Sequence, residues 1–190
     1  MRSDIVPGLT FPDYELPDEN GKLRRLSELQ GADPMALMLA RGGYCPKEHR
    51  QHVWMTALHP EIVVGYSRLV TISTDSILAS YEWRHRLGAH WPFLSDEQRI
   101  VQRDLDIAEY TDPEHNPMIP HTIFLEPGLK IFSIYNGYWY WGRPTPEELR
   151  QTFRAISKKI RPDWDLADPA VRDRWNRGDT KSFFPYQEGS

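Results

Sequence analysis

"PMALMLARGGYCPKEHRQHVWMTAL", residues 34–58, decides the fold. Seven apolar or small residues at 34–40 form an unbroken run, which fits a buried central strand rather than a half-exposed one. Arg41, Gly42, Gly43 and Tyr44 follow as a short loop. Pro46 then suits the first position of a helix over 46–58, and Glu48 suits its electropositive first turn. Cys45, the only cysteine of the chain, therefore falls at the cap of that helix, beyond the carboxyl end of a central strand. Open α/β sheets place their ligand sites there.

The rest of the chain continues the alternation of short strands and helices. "SRLVTIST" (67–74) reads as a second buried strand, and "HTIFLE" (121–126) with "LKIFSIYN" (129–136) reads as a hairpin about "PG". Helices are expected at 76–88, stopped by Gly88, and at 145–160, opened by Thr145 and Pro146. In the latter, Leu149, Phe153, Ile156 and Ile160 share one face and should lie flat on the sheet. The pattern is that of an α/β fold with a central mixed sheet flanked by helices. At residue 161 the composition changes to Pro, Asp and spaced aromatics, so we expect a domain over 1–160 and a C-terminal extension over 161–190. Trp164, Trp175, Phe183, Phe184 and Tyr186 would anchor that extension on the domain or on a second subunit of a homodimer.

With 23 basic against 27 acidic residues and a net charge of -4 over 190 residues, the chain has no general attraction for nucleic acid or anionic lipid. Neither is an expected partner. No run resembles a signal peptide or a membrane span, which points to a cytoplasmic protein. A lone cysteine cannot close an internal disulfide, and in a reducing compartment its thiol stays available.

The thiol has two readings. Free cysteines usually behave as small buried hydrophobes. Here two glycines, a proline and a ring of charges argue for a reactive thiol instead. A helix N-terminus stabilises an anion by up to about 2 kcal/mol. Arg41 would add to this, while the Glu48 carboxylate would oppose it unless Arg41 or Arg50 neutralises it. Cys45, His49 and His52 also share one helix face, at a spacing that could present a thiolate and two imidazoles to zinc; solvated or hydrogen-bonded side chains are the plainer reading, and we expect no metal. "YNGYWYWGRP" (135–144) could be a stacking platform or a subunit contact, although a strand end and turn covering the sheet edge is the simpler account.

Five blocks in order resemble the peroxiredoxin and alkyl hydroperoxide reductase superfamily, within the thioredoxin fold, over about residues 7–160. They are "PGLTFPDYELPDENGKLRRLSEL" (7–29), "ARGGYCPKE" (40–48), the long section from Leu69 to Leu105, its "WPFLSD" (91–96), and "MIPHTIFLEPGLKI" (118–131). The resemblance implies a peroxidase that needs no cofactor: the Cys45 thiolate attacks a peroxide and becomes a sulfenic acid, and an external thiol or a thioredoxin-like reductant restores it. It implies Cys45 and Arg41 as catalytic residues, and Gly42, Gly43, Tyr44, Pro46, Glu48, Pro120 and His121 around the substrate pocket. Pro120 is expected to be the cis-proline of thioredoxin-like proteins. The departures are specific. Met38 and Gly42 stand where the family places a proline and a threonine before the cysteine. Pro120 and His121 stand where it brings an arginine from a later strand, and Glu48 replaces a possible second cysteine. Two other activities stay open: a thioredoxin-fold binding protein without catalysis, and monothiol exchange with a mixed disulfide.

Overall fold

Every residue of Met35–Ala40 is buried, as its unbroken apolar run demands. In the computed structural model, which describes residues 1–137, 141–179 and 183, this strand is the centre of a five-stranded sheet. The elements are β1 (Glu15–Pro17), β2 (Leu23–Arg25), α1 (Leu26–Gln30), β3 (Met35–Ala40), α2 (Pro46–Val64), β4 (Arg68–Ser73) and α3 (Ile77–Leu87). They continue with β5 (Phe93–Ser95), α4 (Ile100–Asp104), β6 (His121–Glu126), β7 (Lys130–Asn136), α5 (Pro146–Ile160), a 3-10 turn (Pro162–Trp164) and α6 (Pro169–Asn176). Strand order is β5-β4-β3-β6-β7, with β3 parallel to β4 and antiparallel to β6, while β1 and β2 form a separate hairpin. The mixed sheet flanked by helices is the arrangement that the strand and helix pattern predicts.

Alternation along the strands divides the core into two layers. Leu37, Leu39, Val70, Ile72, Ile123 and Leu125 turn to one face, where Phe11, Leu16, Leu26 and Leu105 cover them. Thr71, Thr122 and Phe124 turn to the other, where His52 and Gln51 of α2 reach the two threonines and Phe153 of α5 meets Phe124 edge-on at 5.4 Å. Leu149, Phe153 and Ile156 are all buried, in keeping with the apolar face of α5. The chain divides into two compact units, the first spanning Met1–Phe153 and the second beginning at Arg154. Among the described residues no helix is long and apolar enough to cross a membrane.

Two local readings are corrected. Helix α2 runs on through Pro60 to Val64, six residues past the expected end. The buried Met55, Leu58 and Ile62 carry its packing across the proline, outweighing the lost backbone bond. The Ile119–Pro120 bond is trans, as is every described peptide bond. Pro120 keeps its place at the head of β6, and its carbonyl accepts from Gly137 N–H at 2.7 Å.

A residue without a sequence signal secures the β6–β7 turn. The buried Gln30 amide donates to the Glu126 carbonyl at 2.9 Å and its oxygen accepts from Leu129 N–H at 2.8 Å. Gln30→Ala strands both backbone groups and should cost about 2 to 3 kcal/mol. Urea unfolding measures it, and an unchanged midpoint would show that the turn does not depend on this side chain.

Candidate active site

The strand-to-helix passage from β3 to α2 fixes Cys45. The residue is extended (φ -79°, ψ 120°) and is the N-cap of α2, with Pro46 as the first helical residue. Its N–H closes a turn onto Gly42 O at 3.2 Å, and its carbonyl accepts the first helical bond from His49 N at 3.0 Å. The side chain makes no capping hydrogen bond. Cys45 is 5% exposed, so the thiol is less open than the flanking glycines and charges suggest. An N-cap reached directly from a fully buried strand starts below the surface, and the loop has only four residues in which to rise.

Both glycines are required where they stand. Gly42 has φ +135°, and a Cβ there would lie 2.5 Å from Asp75 Oδ1. A Cβ on Gly43 would lie 2.8 Å from Trp83 Cγ, a ring that is wholly buried. The close approach lets Asp75 accept the Gly43 N–H at 2.8 Å. Burial raises the Asp75 carboxyl above the ordinary range, and the Gly43 amide and the Ser73 hydroxyl oppose the rise.

Glu48, one turn into α2, is buried and meets Arg143 in an ion pair. Arg143 Nη1 also donates to Gly137 O at 2.9 Å, and its Nε is buried with no hydrogen-bond partner among the described residues. Burial raises the Glu48 carboxyl; the Arg143 guanidinium opposes this, as do the Arg41 backbone amide and charge. The cation facing Glu48 is thus Arg143, from beyond β7, while Arg50 is exposed. Gly137, just past β7, is crowded by both Arg143 and the head of β6: a Cβ there would be 3.1 Å from Pro120 O and 3.2 Å from Arg143 Cγ.

Arg41 lies at the outer rim. Its Nη2 donates to Asp112 at 2.8 Å, and its Nε is 3.1 Å from Glu109 but off line for a hydrogen bond. Burial opposes its charge, while Tyr44, Glu109 and Cys45 support it. Tyr44 donates to Asp112 at 3.0 Å and stacks on His115 with ring centroids 3.7 Å apart. The hydrogen bond from His115, aided by Tyr44, draws the Asp112 carboxyl down to about 2. Arg99 holds the far side of this excursion by donating to the His115, Asn116 and Thr74 carbonyls.

His121 and His52 stand apart from the site. His121 pairs in register with Leu39, on the sheet face away from α2, and its Nδ1–H donates to Ile119 O at 2.8 Å. His52 is fully buried: Nδ1–H donates to Glu48 O at 2.8 Å and Nε2 accepts from the Thr71 hydroxyl at 3.1 Å, which in turn accepts from Trp91 Nε1–H at 3.0 Å. Both ring nitrogens are engaged, so His52 cannot join Cys45 and His49 on a metal. Among the described residues no three His, Cys, Asp or Glu side chains gather as a metal would need. Residues 138–140 of the aromatic stretch, and Phe184 and Tyr186 of the tail, lie outside the described residues. Arg143, Asp75, Trp83, Glu109, Asp112 and His115 belong to the site without a sequence signal beyond their residue types.

A single cysteine capping the helix that follows the central strand of such a sheet defines a thioredoxin-fold thiol protein. The AhpC/TSA family pattern matches residues 7–133, and the chain belongs to that family. Proteins named as peroxiredoxins in two strains of Mycobacterium tuberculosis are 25% identical over 149 residues, covering 78% of this chain and 96% of theirs. Among solved structures, peroxidoxin BcpB of M. tuberculosis superposes with a TM-score of 0.67 at 21% identity, covering 79% of this chain and 95% of that one. A yeast mitochondrial 1-Cys peroxiredoxin does so with a TM-score of 0.71 at 16% identity, covering 86% and 84%.

Burial lowers the His52 imidazole to about 4. Because the folded value lies below the unfolded one of about 6.5, its stabilising contribution is complete above pH 6.5 and is lost as pH falls towards 4. The loss should be about 3 kcal/mol. His121, which burial also lowers to about 4, adds to the same window, so urea unfolding at stepped pH should show a decline that is reduced by about half in His52→Gln. Gly43→Ala should lower stability by about 1 to 3 kcal/mol through collision with Trp83, read as a lower thermal midpoint together with altered tryptophan emission.

Proposed function

We propose that this chain is a one-cysteine thiol peroxidase acting on hydrogen peroxide or a small organic hydroperoxide. The observation that carries the reading is the place of Cys45, the N-cap of α2 just beyond the carboxyl end of the buried central strand β3. The Cys45 thiolate attacks the outer peroxide oxygen; an S–O bond forms, the O–O bond breaks, and the departing oxygen takes a proton to leave as water or an alcohol. The sulfenic acid condenses with an external thiol, releasing water and forming a mixed disulfide, and a second thiol reduces that disulfide and frees Cys45. Membership of the AhpC/TSA family supports the first half-reaction. The structural likeness to the yeast 1-Cys enzyme, described as resolved through glutathione and thioredoxin systems, is the model for the second.

The residues divide the work. Gly42 and Gly43 let the loop before Cys45 pass close to Asp75 and Trp83, Pro46 starts the helix, and Tyr44 and Pro120 bound the pocket. Arg41 supports the thiolate from the rim. Arg143 replaces the guanidinium that Pro120 and His121 do not supply: its unpartnered Nε–H is the donor we assign to the peroxide and to the charge that develops on it. Glu48 holds Arg143 in place. The low exposure of Cys45 suits a peroxide, which brings one small oxygen to Sγ, and the mixed disulfide of the recycling step requires the loop to open.

Limiting hydrogen peroxide followed by dimedone should label Cys45 within seconds, with no label in Cys45→Ser. The paired substitution Glu48→Gln with Arg143→Gln avoids leaving a buried charge alone and should slow peroxide consumption by about 10²-fold. Stopped-flow peroxide decay measures both. A Cys45 that stays a free, unoxidised thiol after limiting peroxide, in protein that remains folded, overturns the assignment.

A further inference from the structure

A cleft of about 420 Å³ opens between β2, α1, the last turns of α2, the start of β4 and the segment that leads into β5. Its walls carry four side chains that can donate hydrogen bonds to an anion: Arg24, Arg68, His59 and His90. Leu29, Val63 and Pro92 give it an apolar side. We propose that this cleft binds a small phosphate-bearing molecule, with the phosphoryl oxygens held between the two imidazoles and the two guanidiniums.

The donors have capacity to spare. Among the described residues neither His59 nor His90 has a hydrogen-bond partner on its ring nitrogens, although His59 packs against the Trp91 ring at 5.3 Å. Arg24 has one loose ion pair, Nη1 to Asp18 at 3.7 Å, and that carboxylate is already served by the Asn20 and Lys22 amides. Arg68 spends Nε and Nη2 on Asp33, leaving Nη1. The one carboxylate on the wall, Glu28, opposes an anion. A bound metal cation would need a third protein ligand, and no such trio is gathered among the described residues. Burial and the neighbouring His90 both depress the charged form of His59, and an anion seated between the rings would reverse that. The volume exceeds what a lone phosphate fills and is in the range of small-molecule sites, which leaves room along the apolar side for an organic group.

His59 lies fourteen residues along α2 from Cys45, about 20 Å at helical rise, so the cleft is a separate place from the thiol. The test is proton NMR of the imidazole Cε1–H resonances of the full chain, titrated against pH without ligand, with inorganic phosphate, and with glycerol 3-phosphate. Either phosphate source should move the His59 and His90 midpoints to higher pH by about 0.5 or more. Glu28→Gln, an exposed change that leaves the fold alone, should lower the phosphate concentration needed, and Arg24→Gln with Arg68→Gln should abolish the effect while circular dichroism stays unchanged. Midpoints that ignore both phosphates, or a shift that survives the double arginine change, overturn the proposal. So does zinc at micromolar concentration broadening both resonances when phosphate has no effect. None of these readouts depends on peroxide turnover.

Discussion

The ion pair between Glu48 and Arg143 is the constraint on which the site depends. It joins the first turn of the helix that presents Cys45 to the segment beyond β7, ninety-five residues later in the chain. Burying two charges is costly, and the cost is met only when geometry is good and the remaining donors find partners. Here Gly137 O takes one Arg143 N–H and the Arg41 backbone amide supports Glu48, so the pair ties α2 to the end of β7. Removing either partner alone would leave a charge in a place built for two. That asymmetry makes the pair a device for position rather than for stability.

The rim is held by a different economy of forces. Asp112 gathers Arg41, Tyr44 and His115 at the surface, where solvent screens each contact and no single one is worth much. Their effect is geometric: the excursion between Ile107 and Ile119, closed at its base by the Ile119 N–H to Ile107 O bond, is drawn over the loop that carries the thiol. The inner layer is rigid because it is buried and densely packed. The outer layer can be replaced piece by piece.

Much of the fold can be read directly from the chain. The buried strands β3, β4 and β6, the Pro46 start of α2 and the Gly88 stop of α3 each follow from one local rule, and together they place Cys45 at its cap. What could not be read is what arrives from far away in sequence. Arg143 carries no motif, and in "YNGYWYWGRP" the aromatics draw attention from the one residue that reaches Glu48. Helical spacing put His49 and His52 on one face, yet the roll of α2 on the sheet sends His52 into the core between Trp83 and Thr71 and leaves His49 outside. Pro120 was expected cis by resemblance, and no local sequence rule specifies the isomer. The cleft near His59 is likewise invisible in sequence, because its walls come from β2, α1, α2, the start of β4 and the segment before β5, far apart in the chain.

The sunken thiol also limits how two copies of this chain can meet. A disulfide requires its sulfurs at about 2 Å with Cβ atoms near 4 Å. With Cys45 only 5% exposed at the floor of a four-residue loop, two molecules cannot bring their sulfurs that close while both loops keep this shape. Covalent dimers through Cys45 therefore need the loops to open first. Any that form record loops that have already opened.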